Sequence, residues 1–240
     1  MRYNGDQKGV RGVIRAVLID IDNTLLDFHA GAKESMRRAF ADTGLVFAEG
    51  MFAVFTAVNN DLWRQIERGA ITRQELYATR FERVLAALGM TGDGPAVEER
   101  FRHYLSQSAV PVEGALALLA WLAERVEVAV ASNGPYQQQL DRLEKAGMAP
   151  YITRYFISEE IGFQKPRREF FEKCLSRLGD PDPATVLMIG DSLTADIAGA
   201  AALGMPTCWY NPDGGDPTPD CRPDAVVDDL AAIPPLFGLA

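Results

Sequence analysis

The sequence predicts an α/β fold, a doubly wound parallel sheet with an all-helical segment inserted near its start. Three observations carry this. Short apolar runs recur and end in small or acidic residues, helical patterns separate them, and the stretch from Phe28 to Ala109 has helical signals without a convincing strand. Runs that lack polar alternation suit strands covered on both faces of a parallel sheet, and strand–helix alternation suits helices on both sides.

The elements follow in order. Residues 13–19 lead into Asp20, 126–131 into Ser132-Asn133-Gly134, and 155–157 into Ser158-Glu159-Glu160. Residues 186–189 lead into Gly190-Asp191-Ser192, 206–210 into a loop, and 225–227 into Asp228-Asp229. Between them, 113–125 carries Leu116, Leu119 and Leu122, and 136–146 carries Leu140 and Leu143 before Gly147. Residues 167–178 stop at Gly179 and 195–203 at Gly204, as helices do. In the insertion, Thr72-Arg73-Gln74-Glu75 is a capping box. Leu76, Phe81, Val84, Leu85 and Leu88 then mark one helical face, and Val97, Phe101, Tyr104 and Leu105 another. Residues 47–58 read as a helix, and 61–67 as its continuation after a break. The Pro-, Gly- and Asp-rich stretch 211–223 reads as a surface loop. The domain plan is therefore core over 1–27, helical cap over 28–109, and core again over 110–240.

Composition narrows the function. With 240 residues, 48% hydrophobic and 24% charged, the chain can bury a sizeable core. A net charge of −9 without a Lys/Arg run argues against a nucleic-acid polymer or an anionic membrane as partner. No apolar run approaches the ~18–20 residues of a membrane span. The first ten residues are polar, lack a signal-peptide core and read as a frayed terminus. Three scattered cysteines form neither a disulfide framework nor a zinc pattern, and two distant histidines lack ligand spacing. A cytoplasmic setting is expected.

Four sites carry chemistry. Asp20 and Asp22 lie two apart at a strand tip and so share a face. At about 4 Å and an effective dielectric near 20 their repulsion is on the order of 4 kcal/mol, which a cation or a bound proton would relieve. Alone, Asp20-Ile21-Asp22-Asn23-Thr24 is equally a polar turn. Ser132-Asn133-Gly134 offers a hydroxyl, an amide and a free N–H to phosphate oxygens, or is a common turn. Lys165-Pro166 alone reads as a solvated lysine. Gly190-Asp191-Ser192-Leu193-Thr194-Ala195-Asp196 adds two carboxylates, or caps a helix through Asp191, Ser192 or Thr194.

Together, in this order, the four resemble the motifs of the haloacid dehalogenase-like (HAD) superfamily, a resemblance that covers about 15–227. It implies a Rossmann-like core, and a mobile helical cap inserted after the first motif. The aspartate at position 22, two after the nucleophile, is similar to the phosphatases and phosphomutases of that superfamily. The resemblance implies Asp20 as nucleophile and Asp22 as general acid and base. It places Mg²⁺ on Asp20, the Asp22 backbone carbonyl and Asp191, with Mn²⁺ or Co²⁺ as substitutes. Ser132, Asn133 and Lys165 would hold phosphate, Asp196 would orient Lys165 or the Asp191 loop, and Thr24 would fix the loop after the nucleophile. Residues 57–63, Gly69-Ala70-Ile71-Thr72, Arg80-Phe81, 157–162 and Thr207-Cys208-Trp209 look like the bacterial pyrimidine 5′-nucleotidase branch. Asn23 departs from the glutamate of some close members. In the cap, Asn59, Asn60, Trp63 and Arg80 are candidates to reach a base or sugar; packing is the alternative for Trp63 and a solvated helix position for Arg80. The expected substrate is a small phosphorylated metabolite, a nucleoside monophosphate, handled by a monomer or dimer. Alternatives are a phosphatase of sugar phosphates or phosphoglycolate, a phosphomutase, and a catalytically silent binding module.

Overall fold

The computed structural model describes residues 13–236, so the N-terminal stretch read as frayed lies outside the described residues. The strands are β1 (Ala16–Ile19), β2 (Glu127–Ser132), β3 (Arg154–Ile157), β4 (Val186–Gly190), β5 (Thr207–Tyr210) and β6 (Ala225–Val227). The helices are α1 (Phe28–Asp42), α2 (Met51–Glu67), α3 (Arg73–Ala87), α4 (Gly94–Gln107), α5 (Ala115–Ala123), α6 (Tyr136–Lys145), α7 (Ser158–Ile161), α8 (Arg168–Arg177), α9 (Gly199–Ala201) and α10 (Ile233–Leu236). The chain divides into two compact units, Met1–Asp27 with Pro111–Ala240, and Phe28–Val110. Among the described residues, no helix is long and apolar enough to cross a membrane.

The first unit is built on one parallel sheet of order β3-β2-β1-β4-β5-β6. Its strands are the Val/Ile/Leu runs, whose branched side chains suit a pleated surface buried on both sides. Leu18, Ala129, Ala131, Phe156, Val186 and Met188 pack with Phe170, Phe171 and Cys174 of α8 on one face. The alternate residues Val17, Ile19, Val128, Val130, Leu187 and Ile189 are fully buried on the other. Each such side chain contributes roughly 1.5–3 kcal/mol on burial. The chain order reverses at β1: β2 and β3 lie to one side, β4 to β6 to the other. A ligand crevice belongs beyond the carboxyl ends of the strands at such a point.

The second unit is helical. Its core joins Met36, Phe40, Phe55, Phe81, Val84, Val97 and Phe101 from α1 to α4. The Thr72 capping box is present, with the Glu75 N–H donating to Thr72 Oγ1 and the Thr72 N–H to Glu75 Oε2. One expectation needs correction here. No break separates 47–58 from 61–67: α2 runs unbroken, because Phe55, Asn59, Leu62 and Ile66 continue one buried stripe. The Asn59 amide oxygen accepts from Arg80 Nη1 at 2.9 Å, so it does not compete for the helix backbone. In the sheet unit, Ser158-Glu159-Glu160, which follow β3, form the single turn of α7, ended by Gly162 at φ +84°.

Arg80 is buried with Glu98, which takes its Nε at 3.0 Å and Nη2 at 2.6 Å. Burial pushes the Glu98 carboxyl up and Arg80 pulls it back. Breaking such a pair leaves a buried charge behind. Arg80→Met is expected to lower stability by about 3–5 kcal/mol, read by thermal or urea unfolding; an unchanged midpoint would show that the pair does not hold the helical unit.

Candidate active site

Register brings the two acidic motifs together. Ile19 pairs with Ile189 across the β1–β4 ladder, and the Asp20 N–H donates to the Ile189 carbonyl at 2.9 Å. Asp20 and Asp191 therefore leave adjacent strand tips. Carboxylate oxygens of Asp20, Asp191 and Asp196 lie within 4.8 Å of one another. The turn after Asp20 is held by the Ile21 carbonyl, which accepts the N–H groups of Thr24, Leu25 and Leu26 at 3.4, 2.9 and 2.8 Å. The Thr24 hydroxyl is fully buried and finds no hydrogen-bond partner among the described residues, so the backbone and not this hydroxyl fixes the turn. Asn23 takes φ +59°, a left-handed conformation that asparagine tolerates better than most residues, which suits it to the place where a glutamate was expected.

Lys165 is not a solvated surface residue. It is buried, and its Nζ donates to Asp20 Oδ1 at 2.5 Å, Asp196 Oδ1 at 2.6 Å and the Ala131 carbonyl at 2.6 Å. All three ammonium protons are thereby used. The Asn133 amide anchors the backbone of this lysine reciprocally: its Nδ2 donates to the Lys165 carbonyl and its Oδ1 accepts the Lys165 N–H, each at 2.9 Å. Ser132 Oγ accepts the Gly134 N–H at 3.1 Å and Gln139 Nε2 at 2.8 Å, which leaves its own proton to donate.

The last motif folds back on itself. Ser192 is the cap of a π-helical turn over Leu193–Ala198, accepting the Ala195 N–H at 3.0 Å, while its own N–H donates to Asp196 Oδ2 at 3.1 Å. The helix expected over 195–203 thus begins earlier and ends in α9. Both Asp196 oxygens are engaged, one by Lys165 and one by the Asp191 loop. A Cβ at Gly190 would overlap the Asp196 carboxylate, so this glycine makes room for it. Trp209 Nε1 donates to the Asp191 carbonyl at 2.7 Å and pins the loop from β5.

Electrostatics follow from burial. Desolvation raises Asp20 to about 7, against the pull of Lys165 and with the push of Asp196 and Asp22. Asp191 is raised well above the carboxylate range by desolvation, then by Asp20 and Asp196. Burial alone would lower Lys165, but the carboxylates of Asp196 and Asp20 outweigh it and hold the ammonium protonated. A further positive charge beside Asp20 and Asp191 would favour their ionised forms. Their donors are all oxygen, with Asp196 already committed, and this suits a hard divalent cation. Burial pushes the Cys174 and Cys208 thiols upward, which removes them as nucleophiles.

Sequence reasoning missed Gln139 and Arg142. Asp22 Oδ1 accepts Arg142 Nη1 at 2.6 Å, and Asp22 Oδ2 accepts Gln139 Nε2 at 2.7 Å. Arg142 Nη1 also donates to Gln139 Oε1 at 2.9 Å. The signal was present: Gln139, Arg142, Leu143 and Ala146 form the buried i, i+3, i+4, i+7 stripe of this segment, with polar letters where apolar ones were sought.

The four cap candidates separate. Asn59 and Arg80 are buried in the helical unit and bonded to each other. Neither is the exposed group that contact with a base or sugar would need, and Arg80 is not the solvated residue of the alternative, because Glu98 and Asn59 occupy its guanidinium. Trp63 packs against Leu62, Ile66 and Leu76, and Asn60 is exposed.

The model of the haloacid dehalogenase-like hydrolases matches residues 14–204. This chain belongs to that family. It is 37% identical over 197 residues to the pyrimidine 5′-nucleotidase PynA of Streptococcus pneumoniae, covering 82% of this chain and 83% of that one. It is 33% identical to the pyrimidine 5′-nucleotidase YjjG of Escherichia coli, over 84% of this chain and 91% of that one. The crystal structure of the HAD-hydrolase YfnB of Bacillus subtilis bound to magnesium superposes with a TM-score of 0.89 at 34% identity, covering 94% of this chain and 99% of that one. This HAD-like hydrolase is an enzyme, a phosphatase by this kinship.

Proposed function

We propose that this phosphatase is a Mg²⁺-dependent 5′-nucleotidase that releases phosphate from pyrimidine nucleoside monophosphates through an aspartyl-phosphate. The observation that carries the chemistry is the meeting of the Asp20, Asp191 and Asp196 carboxylates within 4.8 Å of one another, with Asp20 and Asp196 both bonded to the buried Lys165 ammonium. The similarity to PynA and YjjG supports the substrate.

Asp20 attacks phosphorus, forming an Asp20–phosphorus bond as the phosphorus–ester oxygen bond breaks. Asp22 gives its proton to the departing 5′-oxygen, then takes one from the water that attacks the aspartyl-phosphate. That second step releases inorganic phosphate and restores the Asp20 carboxylate. The Ser132 hydroxyl meets a non-bridging oxygen, and the Lys165 ammonium, whose proton on Asp20 is freed as that carboxylate turns to phosphorus, meets another, where charge spreads in the transition state. Asn133 keeps Lys165 in place, and Asp196 orients its ammonium and the Asp191 loop. Mg²⁺, held by Asp20, Asp191 and the Asp22 carbonyl, would offset the charge of nucleophile and phosphate together. In the helical unit, Asn60 and Trp63 retain exposed or half-buried surface with which to contact a base. Free cysteines fit action in the cytoplasm.

A panel of phosphomonoesters tests the substrate. Uridine and thymidine 5′-monophosphates are expected to exceed sugar phosphates and phosphoglycolate in kcat/KM by at least about tenfold, or ~1.4 kcal/mol of transition-state binding. Equal or better turnover of a sugar phosphate would reassign the substrate. Phosphate returned to sugar instead of water would make the protein a mutase, and no turnover of any ester with Mg²⁺ would leave only a binding module.

A further inference from the structure

We infer that Arg142, acting with Gln139, is a positioning residue for Asp22, and that it serves the proton-transfer steps and not phosphate binding. The inference rests on the aspartyl-phosphate reading of the site and adds to it a residue outside the four motifs. The Asp22 side chain is 30% exposed, at the end of a short turn, whereas the guanidinium that holds it is 1% exposed. A carboxylate so placed would sample several rotamers in water. Yet a general acid must stand within hydrogen-bond reach of the leaving oxygen, and a displacement of about 1 Å can cost on the order of a hundredfold in rate.

The geometry supplies that restraint. Gln139 and Arg142 lie three residues apart on α6 and so share a face. Arg142 holds Asp22 Oδ1 and Gln139 holds Asp22 Oδ2, so both carboxylate oxygens are fixed from one side. The Gln139 oxygen takes a third bond, from Arg142, which fixes the amide orientation. The second Nε2 proton of Gln139 goes to Ser132 Oγ, tying the general acid to the phosphate-binding hydroxyl through one amide. A Cβ at Gly134 would overlap Gln139, so the glycine after Ser132-Asn133 leaves space for this link. Burying a guanidinium is costly unless it is paired. Packing alone would be met by an apolar residue at position 142.

The two roles separate by leaving group. Nitrophenolate departs without a proton, whereas an alkoxide needs one from Asp22. The experiment compares kcat/KM of the full chain on p-nitrophenyl phosphate and on the alkyl monoester that the wild type hydrolyses fastest. Arg142→Met is expected to lose at least about tenfold on the alkyl ester, a fraction of the 10²–10⁴ that general acid catalysis supplies, and less than about threefold on the aryl ester. Arg142→Lys, which keeps the charge and loses the fork, is expected to recover part of the alkyl-ester rate and carries the same comparison if Arg142→Met does not fold. Equal losses on both esters, or no loss on either, would overturn the inference while the aspartyl-phosphate reading stands. Failure of the wild type to hydrolyse any phosphomonoester, or full activity of Asp22→Asn on the alkyl ester, would instead overturn the reading on which it rests.

Discussion

Asp20→Asn is expected to reduce phosphatase turnover by at least about 10³-fold, because an amide cannot form the phosphorus bond that the carboxylate forms. The fold should survive. The asparagine oxygen still accepts from Lys165, and the substitution removes one of three carboxylates that crowd within 4.8 Å. Burial raises the Asp20 carboxyl to about 7, against 3.8 for the free side chain, so ionising it costs the folded, metal-free protein stability above neutrality. The variant is therefore expected to melt at the same temperature as the metal-free wild type or higher, near pH 8. Acid-quenched samples of the wild type mixed with labelled substrate should retain label on the chain, and the variant should retain none. Wild-type rates in purified Asp20→Asn protein would remove Asp20 as nucleophile.

Much of this site could be read from the chain because its parts sit at strand ends. A parallel sheet places the residues that follow each strand along one edge, so Asp20, Ser132 and Asp191 are neighbours once the strands are recognised. Lys165 shows where local reading stops. Next to proline in a loop, it has every local mark of a solvated residue. Only contacts 31 to 145 positions away in sequence, with Asp196 and Asp20, bury it. Arg142 and Gln139 were hidden for a related reason: a period-3.6 search counts apolar letters, and this helix uses two polar ones on its inner face because they are satisfied by Asp22 and Ser132. Asn59 and Arg80 show the converse error. Polar residues in a helical insertion look available to a ligand, yet the Glu98 carboxylate makes an internal network of them. The break expected near Asn59-Asn60 failed for the same cause, since an asparagine whose amide has a partner does not unwind its helix.

Lys165→Met is expected to impair both catalysis and folding, and pH separates the two. In catalysis, loss of a cation that meets the developing phosphoryl charge should lower kcat by about 10²–10³-fold. In folding, the variant leaves Asp20 and Asp196 without the ammonium that binds both, and breaking a buried pair costs about 3–5 kcal/mol. The sign of the pH dependence follows from Asp20. Its folded carboxyl, raised to about 7, binds a proton more tightly than the unfolded chain, so its contribution to stability is largest at low pH and is lost as pH rises through that value. Lys165 lowers the Asp20 value, so removing it raises the value further and deepens the loss on the alkaline side. With the protein kept free of metal, the gap in melting temperature between wild type and Lys165→Met should be smaller near about pH 5, where Asp20 holds a proton in both proteins and the loss at Asp196 remains, and wider near about pH 8. A gap that does not change with pH would show that the lysine supports packing alone. A variant as stable and as active as the wild type would dissolve the cluster on which the proposed chemistry depends.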